Sequence, residues 1–190
     1  YDAALTNQNK TTPSQEYNLV YRNNVIWNCE YSFEYWNSPE ESQTHHIYFE
    51  HNTCFGAGHG WGHSQRPNPA GRHLCFYTNR ARTHDFYIRH NIFCHATDVA
   101  FDALWWAPEA VADKRIIVLD HNCWFQPEGT MIRFKGQAYT QAEFGDYQRR
   151  LGQDQHSLAA DPRLVDPARR DFRLRPDSPC REGSQGTRFE

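Results

Sequence analysis

Apolar residues in this chain come in short alternating stretches, each running into a bend that carries an asparagine. Leu19-Val20-Tyr21, Ile47-Tyr48-Phe49, Phe86-Tyr87-Ile88 and Ile117-Val118-Leu119 all precede such a bend. The bends align on Asn24, Asn52, Asn91 and Asn122, in the phrases YRNNVIW, FEHNTCF, IRHNIFC and LDHNCWF. Alternation rich in β-branched and aromatic residues predicts strands, whose side chains point to opposite faces in turn. A second short strand is predicted after each asparagine: Val25-Ile26-Trp27, Thr53-Cys54-Phe55, Ile92-Phe93-Cys94 and Cys123-Trp124-Phe125. A third follows in each unit, over 32–36, 74–77, 99–103 and 131–134.

The asparagines are 28, 39 and 31 residues apart, a spacing that belongs to repeat architectures. Three short strands per unit, separated by bends, predict one coil of a right-handed parallel β-helix. The fold class is therefore expected to be all-β, a solenoid of about four coils. An asparagine in the bend then has two uses. It tolerates left-handed backbone, and its amide reaches the asparagine one coil away, about 4.8 Å distant. A β-sandwich is the competing all-β reading, but it gives no reason for asparagine at one recurrent place.

After the fourth unit, Thr140-Gln141-Ala142-Glu143 has the spacing of a capping box. Phe144, Tyr147 and Leu151 follow at helical spacing and Gly152 supplies a stop, predicting one short flanking helix over about 140–151. The repeat domain is placed at 17–180, between a polar segment, 1–16, and a fraying tail, 181–190. A solenoid needs its first coil covered, so further coils or another chain are expected over the N-terminal edge.

The close of the chain carries a resemblance. Ala160-Asp161-Pro162-Arg163-Leu164-Val165-Asp166-Pro167, then Asp171-Phe172-Arg173-Leu174-Arg175-Pro176-Asp177-Ser178-Pro179, resembles the ending of bacterial right-handed parallel β-helix proteins of the pectate-lyase-like superfamily. Together with the repeat, the resemblance covers about residues 17–180. It implies a carbohydrate-active protein, secreted or periplasmic, and says little about the reaction, because that fold hosts lyases, hydrolases, esterases, epimerases and adhesins.

Composition fits a polar ligand such as a sugar, and the resemblance implies a polysaccharide or oligosaccharide. Aromatic residues make up 15% of the chain, yet the mean hydropathy is -0.88, so the apolar mass sits in rings among many polar residues. A net charge of -3 without a basic stripe offers nucleic acid no footprint. No stretch approaches the roughly 20 apolar residues of a membrane helix. The six cysteines match no zinc spacing and read as buried thiols.

If Phe33, Tyr35, Phe76, Phe101 and Phe134 point inward, alternation turns Glu34, Trp36, Cys75, Tyr77, Asp102, Arg133 and Lys135 onto one outer face. Three chemistries compete there. Glu34 and Asp102, two coils or about 10 Å apart, would be the acid and base of a glycoside hydrolase, near the upper end of the inverting range of about 6.5–9.5 Å. Arg133 and Lys135 would instead serve a polysaccharide lyase acting on uronic acids, with a cation such as calcium, provided the base has a depressed pKa. In the third reading, His59, His63 and His73, with His45 and His46 nearby, gather for proton transfer or metal binding; no metal is assigned, because glycine-rich sequence gives the His59–His63 spacing no helix. His63 or His73 would be the general base among them, with His63 placed in the catalytic set.

The long bend 56–73 supplies Trp61, Arg66, Arg72 and His73 as substrate-binding candidates beside Trp36 and Tyr77. Glycoside hydrolysis without a cofactor is the leading expectation. A lyase, or a non-catalytic glycan-binding or structural module, is the alternative.

Overall fold

The computed structural model describes residues 2–60, 70–79, 82–181 and 186. The chain passes through its strands in groups of three. The first pass is β1 (Ala3–Asn9), β2 (Gln15–Arg22) and β3 (Val25–Trp27); the second is β4 (Tyr31–Asn37), β5 (Gln43–Glu50) and β6 (Thr53–Ala57). The third is β7 (Arg72–Asn79), β8 (Arg82–Arg89) and β9 (Ile92–Ala96). The fourth is β10 (Val99–Ala103), a short helix α1 (Pro108–Ala112), β11 (Ile117–Asp120) and β12 (Cys123–Phe125). Then come β13 (Thr130–Phe134), β14 (Gln137–Tyr139), a 3-10 turn, α2 (Phe144–Leu151), β15 (Leu158–Ala159), β16 (Leu164–Asp166) and β17 (Asp171–Leu174).

Strands three apart in sequence pair. They build a six-stranded sheet in the order β1-β4-β7-β10-β13-β14, a four-stranded sheet β11-β8-β5-β2 and a five-stranded sheet β15-β12-β9-β6-β3. The pairings are parallel, except that β14 returns antiparallel on β13, and β16 and β17 form a separate antiparallel pair.

This topology corrects the expected right-handed parallel β-helix. Among the described residues the strands divide among four separate sheets rather than forming one solenoid, and two pairings are antiparallel. A second helix, α1, interrupts the fourth pass. The segment 1–16 is not a featureless lead: β1 pairs with β4 from Ala3↔Tyr31 to Asn9↔Asn37, and β2 begins at Gln15. The division has a local cause, because the bends are sharp. Left-handed backbone at Asn23, His51, His90 and His121 turns the chain just before each aligned asparagine, so hydrogen bonding cannot run on as one sheet. The left-handed residue is thus the one preceding the asparagine, not the asparagine itself.

The asparagines brace those bends. Asn24 donates from its backbone N–H (3.0 Å) and its Nδ2 (2.9 Å) to Asn52 Oδ1. Asn52 does the same to Asn91 (2.9 and 3.0 Å), and Asn91 to Asn122 (3.0 and 3.1 Å). The ladder ends on buried Asp154, which accepts from Asn122 Nδ2 (3.1 Å), Trp124 Nε1 (3.2 Å), Tyr147 Oη (2.9 Å) and Ser157 Oγ (2.5 Å). Every polar group in this column is paired, which is the condition for burying it.

Between the sheets lies a core of stacked rings, with Phe33, Tyr35, Phe49, Phe86, Phe93, Phe101, Trp124 and Phe134 fully buried. Helix α2 adds Phe144, Tyr147 and Leu151 to that core and stops at left-handed Gly152. All six cysteines are free thiols. Among the described residues no helix is long and apolar enough to cross a membrane.

Candidate functional site

The six-stranded sheet turns one face to the core and the other outward. Its register aligns Thr6, Glu34, Cys75, Asp102 and Arg133 in one row across β1, β4, β7, β10 and β13. Glu34 and Asp102 therefore share a face, two strand spacings or about 10 Å apart along the backbone. Cys75 lies between them.

The two carboxylates have different surroundings. Glu34 is 4% exposed and accepts from Gln8 Nε2 and, at 3.4 Å, from Thr6 Oγ1. Burial raises its pKa above the usual carboxylate range, against the lowering effect of the Gln8 bond. Asp102 is held by charge. Arg133 grips both its oxygens (3.2 and 2.9 Å), Arg72 Nε approaches it at 3.1 Å, and the Leu104 backbone N–H donates to it at 3.1 Å. Asp98 completes the network, bonded by Arg133 Nη2 at 2.9 Å and Arg72 Nε at 3.1 Å. Burial pushes the Asp98 carboxyl up, but the two guanidinium groups outweigh it and hold the pKa below normal.

This geometry redistributes the expected roles. Asp102 accepts three hydrogen bonds and lies against two guanidinium groups, which engage it as an ion-pair partner rather than leaving it free to serve as a general base. The hydrogen bonds that Arg133 donates to Asp102 raise its pKa against its burial, the opposite of what a lyase base needs. Asp98 and Asp102, the acids a calcium ion would use on this face, already face arginines. Cys75 is pushed up to about 11 by burial, against the pull of Arg72, and stays a neutral thiol. Lys135 is exposed in the turn after β13, its backbone N–H bonded to Trp106.

The histidine gathering is corrected. His73 lies inside the molecule with 0% exposure, its Nδ1 bonded to Ser32 Oγ at 3.0 Å, so it cannot reach a substrate. Burial lowers its pKa to about 3, keeping it neutral. His45 and His46 belong to β5 in a different sheet, and His59 lines an open depression with His95, Asp98, Gln126 and Glu128. Trp61, His63 and Arg66 lie outside the described residues.

What the face does assemble is a patch of rings. Trp36 and Tyr77 lie 4.6 Å apart, tilted by 30° and both half-buried. Lys10 Nζ sits 4.4 Å over the Trp36 ring, and the Tyr77 hydroxyl meets that of Tyr31 at 3.3 Å. Trp106 Nε1 bonds the Tyr77 carbonyl at 2.8 Å, fixing the segment after β10 against this strand. The same segment exposes Leu104 (42%) and Trp105 (63%).

Reasoning from sequence missed Asp98, Lys10, Gln8, Leu104 and Trp105. The Leu104-Trp105-Trp106 run directly after a strand was a readable signal. Lys10 and Gln8 carried none, because they stand where the asparagine repeat is absent. Comparison with known proteins identifies no relative: no family model, no curated protein and no solved structure matches the chain, so nothing there points to the pectate-lyase-like superfamily.

Proposed function

We propose that the outer face of the six-stranded sheet binds a polysaccharide or oligosaccharide without cleaving it. The observation carrying this reading is the Trp36–Tyr77 pair, half-exposed on a rigid sheet, with Lys10 beside it and Gln8 and Glu34 at its border. Aromatic faces pack against the C–H faces of pyranose rings, while neighbouring amides and charges bond the hydroxyls. Strands hold such groups more firmly than loops do. The Arg72–Asp98–Asp102–Arg133 network favours binding over hydrolysis, since it neutralises the carboxylate that a two-acid mechanism would use.

Glycoside hydrolysis is the second reading, favoured by the raised pKa of Glu34, which suits a general acid. It needs a base other than Asp102. A panel of polysaccharides, followed by retention on the immobilised chain, new reducing ends and absorbance of unsaturated products, separates the readings. Binding with neither product supports the proposal. Reducing ends that disappear in Glu34→Gln support the hydrolase, and unsaturated products support a lyase.

A further inference from the structure

On the four-stranded sheet, remote in the fold from the aromatic face, three donors converge. Asp120 ends β11, and His121 follows in left-handed backbone (φ 55°), which fixes where its ring leaves the chain. His156 comes from the segment after α2, and its backbone N–H donates to Asp120 Oδ1 at 2.8 Å, tying that segment to the strand end. His156 Nδ1 then lies 2.8 Å, and His121 Nδ1 3.4 Å, from the same oxygen, Asp120 Oδ2. The three donor atoms all lie within 4.8 Å of one another.

We propose that Asp120, His121 and His156 bind one divalent transition-metal ion of the zinc type. Two imidazole nitrogens and a carboxylate oxygen are a borderline-soft donor set suited to zinc, nickel or copper rather than to calcium or magnesium. A tetrahedral zinc with bonds of about 2.0–2.2 Å needs donors about 3.3 Å apart; the two imidazole nitrogens stand 2.8 and 3.4 Å from the Asp120 oxygen, and the group as a whole lies within 4.8 Å. Metal entry replaces the His156 Nδ1–H bond to Asp120, and each imidazole then carries its proton on Nε2.

The rings are held for this. His121 stacks on His156 (5.0 Å) and meets His90 at 4.9 Å with a tilt of 32°, and His90 in turn stacks on His51 (4.8 Å). The side chains of His156 (68%) and His121 (41%) open to solvent, leaving an entry path and a fourth position for water. A second histidine cluster is an internal control. His45 and His84 stack in parallel at 4.8 Å, His45 Nδ1 is spent on His46 Nδ1 at 2.7 Å, and Asp85 lies 3.9 Å from His46. Among the described residues only the Asp120 group brings three such donors together.

The test uses the full chain, free of any tag and stripped with chelator, titrated with zinc chloride by calorimetry and with cobalt(II) by visible absorption. One equivalent should bind at micromolar concentration or below, and His156→Gln, His121→Asn and Asp120→Asn should each weaken it at least tenfold. The double variant His46→Gln/His84→Gln should bind as the parent does. His156 is mostly exposed, so its replacement leaves the fold intact and a thermal melt verifies this. Absence of binding below millimolar zinc overturns the proposal. So does a His156→Gln chain that melts normally and binds zinc undiminished, or a loss that follows His46 and His84 instead.

Discussion

Asn91 holds the middle of the asparagine ladder, and its side chain is both donor and acceptor. Its Oδ1 receives the backbone N–H and Nδ2 of Asn52, and its Nδ2 reaches the Phe49 carbonyl at 2.8 Å. Truncation to alanine strands several fully buried groups, each costing about 1–3 kcal/mol. Asn91→Ala should therefore lose about 3 kcal/mol in urea denaturation. Asn24→Ala, at the half-buried end and with its backbone donor retained, should lose about 1 kcal/mol. Equal losses would mean that the ladder does not share load as the geometry implies. Asp154 at the other end makes a pH prediction. Burial raises its pKa above that of an unfolded aspartate, against the pull of Ser157 and Asn122. A group with a raised folded pKa contributes stability that is complete below the unfolded value and is lost as pH rises through the folded one. Asparagine keeps an acceptor for Asn122, Trp124 and Ser157, and its amide can donate to Tyr147 Oη. The melting temperature of Asp154→Asn relative to the parent should therefore climb from pH 4 to pH 8. A difference that is flat or falls with pH contradicts this.

At the scale of elements, the corner between β6 and β7 is set by close backbone approach. A Cβ on Gly71 would stand 2.0 Å from the Ala57 carbonyl oxygen and 2.3 Å from the Gly58 nitrogen, both main-chain atoms that cannot yield. Gly71→Ala should cost about 3 kcal/mol. Gly145 in α2 is the opposite case, since its Cβ would meet only the flexible tip of Arg149 at 3.3 Å. Gly145→Ala should gain about 0.5–1 kcal/mol from helix propensity. Chemical denaturation of the pair separates backbone crowding from propensity. The same scale shows how much was legible beforehand. The strands 74–77, 99–103 and 131–134 were readable because alternation is a local signal, and β7, β10 and β13 contain them. The helix was readable because Thr140, Glu143 and Gly152 are local end signals: the Thr140 N–H does bond the Glu143 carboxylate at 2.9 Å. Partition into several sheets was not, because it depends on left-handed turns at Asn23, His51, His90 and His121, whereas the sequence pattern assigns that conformation to the asparagine that follows each of them. β1 was missed because it has no asparagine bend of its own. For the site, alternation put Glu34 and Asp102 on one face, and the sheet register aligns them across Cys75. It could not show that Asp98, four residues from Asp102, brings both arginines onto that aspartate.

The whole molecule presents unlike surfaces. The four-stranded sheet carries imidazole columns, the six-stranded sheet an ion-pair network beside an aromatic patch, and the first pass exposes Tyr17, Val20 and Trp27. Strands β1, β2 and β3 are each the last strand of their sheet; there Trp27 packs against Phe172 with ring centroids 5.7 Å apart, and Tyr17 stacks on His45 at 5.2 Å. This separation allows a clean test of the aromatic patch. Trp36→Ala and Tyr77→Ala remove the rings without touching the Asn ladder or Asp154, while Trp27→Ala removes a comparable ring, 39% exposed, from the five-stranded sheet. The decisive measurement is calorimetric titration of these variants with the best-retained glycan from the panel. The glycan-binding account predicts that Trp36→Ala and Tyr77→Ala each weaken affinity at least tenfold while Trp27→Ala binds as the parent does. Undiminished affinity in the Trp36→Ala/Tyr77→Ala double variant, or loss only in Trp27→Ala, would contradict it.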